Sequence, residues 1–568
     1  MTAQHGQLGA GSSSLSHFIV EGDAYFGPIT SSNVGGTGNA NNVGSDTTSS
    51  MKGFDLLAAN VAHQAFYNSG ESADPSTCHP DTRVAVLANL EKWVDQPEED
   101  DLVRWVTGSA GVGKTVIVRT MAEMLDARKR LLASFFFWRS GQRCNNSQYF
   151  VATISYQICQ LLPPCKTLIA RVVEEDPHIF TRSMKVQVDK LILSPIASVW
   201  QKGRPDTNGA LVIVVDGLDE CLEVGAQSQD VERQCTIISE MHRAMIHLQQ
   251  RTFDKISKQG SSIMLNESHD ATDDIRRYYN DKFCEIRNSH PLRHHLPTSK
   301  WPSVGEVESL VERASGQFIY ASTVVQFVGS KKKIPSAQLK AVLVRQDHGS
   351  PVSPLGRLDL LYRTIFAQID QEDLLATQRL LGILLSGDEY KFRTRKQPPT
   401  FWDLFLRWQP GEVERLLMGL DSVLSIWMTE GESYSHEFFH FYHASLQEFL
   451  LDQARSGPFF IDLEATHQEM AVLCIQHLHT SDGLISRYLE TTMEDWLTDV
   501  AITPTLEEAF CKGGVDGVYP PNLKVAYPSF LEAIQAEKRK EVRSNLFWRP
   551  IFVSRKIWLV SQLVTGHC

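Results

Sequence analysis

Residues 108–115 read Gly-Ser-Ala-Gly-Val-Gly-Lys-Thr, which satisfies the spacing G-x-x-x-x-G-K-[ST] at every position. These residue types suit an anion of linked phosphates. Gly108, Gly111 and Gly113 let successive backbone N–H groups turn onto a phosphate, with Ser109, Ala110 and Val112 completing the cradle. Lys114 would place an ammonium between the β- and γ-phosphates, and the Thr115 hydroxyl would ligate Mg²⁺. Further along, residues 211–221 read LVIVVDGLDEC. Asp216 closes an apolar run, so its carboxylate would emerge at the C-terminal edge of a sheet, where a metal shell needs an acid. Asp219 and Glu220 follow at a spacing where either would polarise an attacking water. A glycine-rich turn alone, or an apolar strand ending in acids alone, has a purely structural reading. The two in this order read as a nucleotide site.

Such a site needs strands to deliver it. The apolar run 102–106 leads into the glycine loop, and 116–125 continues from it with helical spacing, which puts the phosphate at a helix N-terminus. Residues 131–138 read as a second buried strand, 148–162 as a second long helix and 211–216 as a central strand. This alternation predicts an α/β fold, a parallel sheet flanked by helices, followed by mostly helical and winged-helix-like modules. Residues 73–83 form a Pro/Asp/Thr connector in which Asp81 or Thr82 would cap the next helix. The domain reading is an arm at 1–50, a helical linker region at 51–100 and the nucleotide-binding domain at 101–300. A helical domain at 301–375, a winged-helix-like domain at 376–460 and a divergent helical region at 461–568 follow. The arm is rich in Gly, Ser, Asn and Thr and is expected to be disordered, although 17–20 and 24–26 are β-prone patches that could also stack between chains.

The whole chain narrows the class. It has 568 residues, enough for several cores, and a net charge of −12, which argues against a protein that neutralises nucleic-acid phosphates. Nucleotide and protein partners fit better. The ten cysteines are dispersed, without a metal spacing, and read as reduced, mostly buried thiols. Neither a signal peptide nor a membrane span is legible, so the expected location is cytoplasmic.

The glycine loop, the strand FFFWR, the segment VVDGLDEC, then 274–283, 301–327 and 358–365 occur in an order that resembles the NACHT domain of fungal NOD-like proteins. The resemblance is close to the nephrocystin-3-like N-terminal P-loop domain, within the STAND class of signalling NTPases, and covers residues 75 to 455. It implies an ATP/ADP-dependent switch with Mg²⁺, acting in cytosolic signalling or innate-immunity-like recognition, with protein partners and homo-oligomer formation on activation. It also implies that His443, in FFHFYHASLQEFLLD, reaches the β-phosphate and holds the closed form; a core histidine is the plainer reading. Gly316-Gln317-Phe318 stands where relatives carry a Gly-x-Pro turn against adenine, but here proline is missing.

Two departures matter. Relatives place a short strand ending in Ser/Thr-Arg-Pro between the loop strand and the acidic strand, and its arginine senses the γ-phosphate. That strand is absent here. A sheet cannot leave its middle unpaired without large cost, so another segment must fill the gap, with 244–248 the nearest candidate and Arg251 a substitute sensor. Binding is therefore expected to be better retained than turnover, and a hydrolysis-deficient scaffold acting through the arm is the alternative. A metabolic kinase ranks third, since no lid or acceptor motif is visible. The second departure is at the C-terminus, where no repeat of 30 to 45 residues follows residue 461.

Overall fold

Five short stretches become parallel strands: β1 Leu15–Val20, β2 Val103–Thr107, β3 Leu131–Phe136, β4 Leu211–Asp216 and β5 Ser261–Met264. Their spatial order is β3-β4-β1-β2-β5. The computed structural model describes residues 15–20, 46–70, 76–96, 102–138, 143–202, 210–221, 227–248, 261–265, 271–298, 300–344, 354–386, 394–426, 438–477, 482–497 and 503–513. β4 is buried along its whole length because both faces of the sheet are covered. Leu211, Ile213 and Val215 pack into a core with Phe135, Phe150 and Ile154, whereas Val212 and Val214 join Val106, Ile117, Val118 and Met121 on the opposite side. Two-sided burial explains why the strand reads as an unbroken apolar run rather than an alternating one.

Helices supply those covers. Lys114–Ala127 lies on one face of the sheet, and Phe150–Leu161 and Pro163–Glu175 help to build the core on the other. The helix Asp46–Ala59 packs on Pro163–Glu175, and its Gly53 N–H donates to the Glu174 carboxylate at 3.1 Å.

Several expectations need correction. The arm expected to be disordered contributes β1 and, from Asp46, the start of a helix; the rest of residues 1–50 lies outside the described residues. The gap between β2 and β4 is filled by β1 and not by 244–248, which belong to the helix Gln227–Leu248. Ala244, Met245, Ile246 and Leu248 are all buried in the core. Their identity as a short apolar run suits a strand, but here they form the last part of a long amphipathic helix, and helix continuity prevailed over local β preference. Arg251 lies outside the described residues. Neither Asp81 nor Thr82 caps the following helix, Val84–Asp95, whose N-cap is Arg83. The Thr82 hydroxyl instead donates to His79 O at 2.7 Å, closing the preceding turn.

The chain divides into two units, Met1–Leu361 and Tyr362–Cys568. In the second, Trp402, Phe405, His477 and Tyr488 form an aromatic core, with Phe405 and His477 stacked at 4.8 Å. An antiparallel pair, β6 Leu424–Ile426 and β7 Phe439–Phe441, precedes the helix Ala444–Leu451. The helices Leu463–Gln476, Gly483–Leu497 and Pro504–Gly513 follow; residues 514–568 of the helical region expected at 461–568 lie outside the described residues. No helix among the described residues is long and apolar enough to cross a membrane. Cys78, Cys144, Cys159, Cys165, Cys221, Cys235, Cys284 and Cys474 are thiols outside any disulfide, and most of them are buried.

Candidate functional site

The glycine loop joins β2 to the helix Lys114–Ala127, with Gly113 as the N-cap. The first amides of that helix have no intrahelical acceptors, and the helix dipole favours an anion there. Three loop carbonyls are held from outside. Val112 O accepts from the Arg83 guanidinium at 2.6 Å, Gly111 O from the Ile319 N–H at 3.1 Å and Ala110 O from the Gln317 side-chain amide at 3.5 Å. A planar trans peptide points its N–H opposite to its carbonyl, so each of these bonds also orients the next residue's donor. Gly111 is required on two counts: its φ is +79°, and a Cβ there would lie 2.2 Å from Ile319 Cγ2.

Arg83 is the main clasp. Although not a glycine, it adopts a left-handed φ of 56°, and its own N–H donates to the Asp274 carboxylate at 2.9 Å. Its guanidinium lies over the Phe318 ring, 4.8 Å from the centroid. Phe318 is half-buried between Arg83 and Tyr278, and begins the helix Phe318–Val328.

Lys114 is buried and its ammonium curls back on the loop, donating to Gly108 O at 2.9 Å and to Ser109 O at 3.4 Å. Neutral carbonyls are acceptors that a phosphate oxygen would outcompete. Asp216 follows Val212 and Val214 on the face that the helix Lys114–Ala127 covers, and this parity carries its carboxyl to the Thr115 hydroxyl, with which it hydrogen-bonds. Asp216 is only 2% exposed, and its Oδ1 has no hydrogen-bond partner among the described residues. Burial pushes its carboxyl up to about 8, against the Thr115 hydrogen bond and the positive charges of Arg119 and Lys114; the neighbouring Asp219 pushes it the same way as burial.

Arg119 is one helical turn beyond Thr115 and buried beneath the site. It donates to Tyr67 O at 2.7 Å and lies over the Phe136 ring at 4.7 Å. The turn after β4 begins at Gly217, where φ is +64° and a Cβ would lie 2.5 Å from Phe137 O. The short helical turn Leu218–Glu220 then presents Asp219 exposed and Glu220 half-buried. Beside the loop opens a cavity of about 750 Å³ lined by Arg83, Ser109, Val112, Leu265, Thr272 and Gly316, among others. Its volume is in the range of small-molecule and cofactor sites.

The structure thus brings together the loop 108–115, Thr115, Lys114 and Asp216, with Asp219 and Glu220 on the adjoining turn. His443 belongs to the second unit. There it caps the helix Ala444–Leu451: its Nδ1 accepts from the Ser445 N–H at 3.0 Å and lies 2.6 Å from the Ser445 hydroxyl, which in turn lies 2.9 Å from the Tyr362 hydroxyl. An Nδ1 that accepts leaves the neutral ring's proton on Nε2. Sequence reasoning missed Arg83 and Arg119. The four-residue spacing from Thr115 to Arg119 was a usable signal, since it places both on one side of a helix; nothing local marks Arg83, whose partner carbonyl is distant in sequence.

An Mg²⁺-bound nucleotide fits this donor set. The buried Asp216 oxygen without a partner, the Thr115 hydroxyl beside it and an ammonium satisfied only by carbonyls are the groups such a ligand would engage, and Mg²⁺ characteristically takes few protein ligands besides phosphate oxygens and water.

Residues 85–250 match the family model described as nephrocystin 3, N-terminal. The matched segment carries the glycine loop, β2, β3, β4 and the acidic turn. Arg83, β1 and His443 lie outside it. No curated protein matches the chain.

Proposed function

We propose that the first unit binds ATP or ADP with Mg²⁺ through residues 108–115 and Asp216, as a P-loop nucleotide site, and that the protein is a NACHT-type switch of the STAND class in cytosolic signalling. The observation that carries this reading is the buried Oδ1 of Asp216, without a partner among the described residues, next to Thr115 at the mouth of a loop whose carbonyls are clasped from behind. When bound, the metal would supply charge neutralisation at the phosphates. Lys114 would exchange Gly108 O and Ser109 O for phosphate oxygens, Thr115 and Asp216 would hold the metal, and the cavity would take the nucleoside. Glu220 or Asp219 would orient and deprotonate water.

A second reading, a nucleotide-binding scaffold with little turnover acting through its N-terminal arm, is favoured by the strand beside Asp216. β1 occupies the position where the resembling family has its arginine-bearing strand, and in this sequence Val20 is followed by Glu21. Leu15–Val20 itself carries no arginine, so this strand supplies no guanidinium to developing negative charge on a γ-phosphate. Calorimetric titration with Mg-ADP, together with phosphate release from ATP, separates the readings. Binding with turnover lost in Lys114→Ala and Glu220→Gln supports the switch; binding without turnover supports the scaffold. A chain that binds neither ADP nor ATP refutes both.

A further inference from the structure

We propose that Leu15–Val20 is a seated, displaceable strand of the nucleotide sheet, so that whether the N-terminal arm is docked decides whether the site exists. The inference rests on the nucleotide reading above for its consequence, and on backbone pairing for its cause. β1 pairs in parallel with β4 along all six residues, from Leu15↔Leu211 to Val20↔Asp216. On its other edge it pairs with β2, from His17↔Val103 to Val20↔Val106. Val20 is thus in register both with the acid and with the strand that delivers the glycine loop. β1 also runs between two helices, Lys114–Ala127 and Gln227–Leu248, each of which contacts it.

The segment nevertheless reaches this central place from far away in the chain. It lies outside the matched stretch 85–250, and residues 21–45, including the run NVGGTGNANNVGS, stand between it and the helix that begins at Asp46. The next strand of the sheet begins only at Val103, so local chain connectivity does not dictate the place of β1 between β2 and β4. What holds it is the pair of ladders together with the two helices that it contacts.

Its departure would have two physical consequences. Facing N–H and C=O rows of β2 and β4 would lose their partners, at a desolvation cost for every group that stays buried. Closing the gap instead would shift β2 against β4 by roughly one strand spacing, ~4.8 Å. That displacement would carry Thr115 out of hydrogen-bond reach of Asp216, so either response disables a site that depends on their meeting. By linkage, a nucleotide that bridges the two strand ends must in turn favour the docked strand.

The experiment uses the full chain. Proline at position 19 removes a ladder donor in a strand paired on both edges, while Asn33→Pro in the intervening segment serves as the control. In Ile19→Pro we expect amide exchange at 212–215 to accelerate by about 100-fold and the affinity for a fluorescent ADP with Mg²⁺ to fall at least about tenfold. A synthetic peptide of residues 12–23 should restore both, and the same peptide carrying Ile19→Pro should restore neither. Unchanged exchange at 212–215, or a peptide without effect, overturns the proposal. Should the variant fail to fold, the unmodified chain decides. Amides 16–20 must exchange as slowly as 212–215 and slow further with Mg-ADP; rapid exchange at 16–20 overturns it. If the unmodified chain binds no nucleotide while 16–20 remain protected, the nucleotide reading and the coupling fail, and the strand's place in the sheet stands.

Discussion

The glycine loop and the acidic end of β4 face the same helix N-terminus but are built in opposite ways. At the loop, carbonyls have acceptor roles already filled by Arg83, Gln317 and Ile319, and even the Lys114 ammonium has local partners. At β4, a carboxyl is driven into the interior with one oxygen unsatisfied and its proton affinity raised. With its carbonyls held, the loop backbone would need little reorganisation if an anion were to bind, and Lys114 alone would change partners. The acid is a stored deficit, offset only in part by Thr115, Arg119 and Lys114 and relieved by a proton or a bound cation.

That contrast makes measurable demands, the largest at the loop. Lys114→Ala should weaken Mg-ADP binding by about 100-fold while leaving the melting temperature nearly unchanged, because the ammonium's present partners are neutral carbonyls at the site's own mouth. An equal loss of stability would show that Lys114 holds the fold rather than the ligand. Gly111→Ala should destabilise the first unit by about 2 kcal/mol, since the new Cβ meets Ile319 in a left-handed backbone; a thermal melt reads it directly. Arg83→Ala should weaken ADP binding by about tenfold, and Arg83→Lys should recover little of it, because one ammonium cannot both reach Val112 O and lie flat on Phe318.

The acid gives smaller but more diagnostic effects. Without nucleotide, the folded Asp216 keeps its proton to about pH 8, whereas the unfolded chain releases it near the ordinary carboxylate value. The folded state therefore binds more protons in that window, and this contribution to stability, complete at acid pH, is lost as pH rises through the folded value. The melting temperature should decline from about pH 5 to about pH 8, and Asp216→Asn should flatten the slope. A slope unchanged by the substitution would place the deficit elsewhere. The smallest effect concerns His443. Asn is also a good N-cap, so His443→Asn should preserve stability to within about 0.5 kcal/mol; a change in ADP affinity of about threefold or more would then report on a phosphate contact rather than on the cap.

Much of the first unit was legible because its signals are local. The glycine spacing and the two-sided apolar strands 131–136 and 211–216 each follow from backbone conformation or from burial on both faces of a sheet. The meeting of Asp216 with Thr115 was also foreseeable from strand parity and the loop motif. Arg83 was not, since a left-handed arginine that clasps a carbonyl far along the chain leaves no periodic trace.

The central strand is the clearest division between the two kinds of information. The strand order of the family that the sequence resembles implied that something must lie between β2 and β4, since a buried sheet cannot leave its ladder groups unpaired. Which segment fills that place was decided only in three dimensions. Pairing rewards any extended backbone that reaches the slot, and neither a glycine-rich setting at 15–20 nor an apolar run at 244–248 states in its own residues how far the chain will carry it.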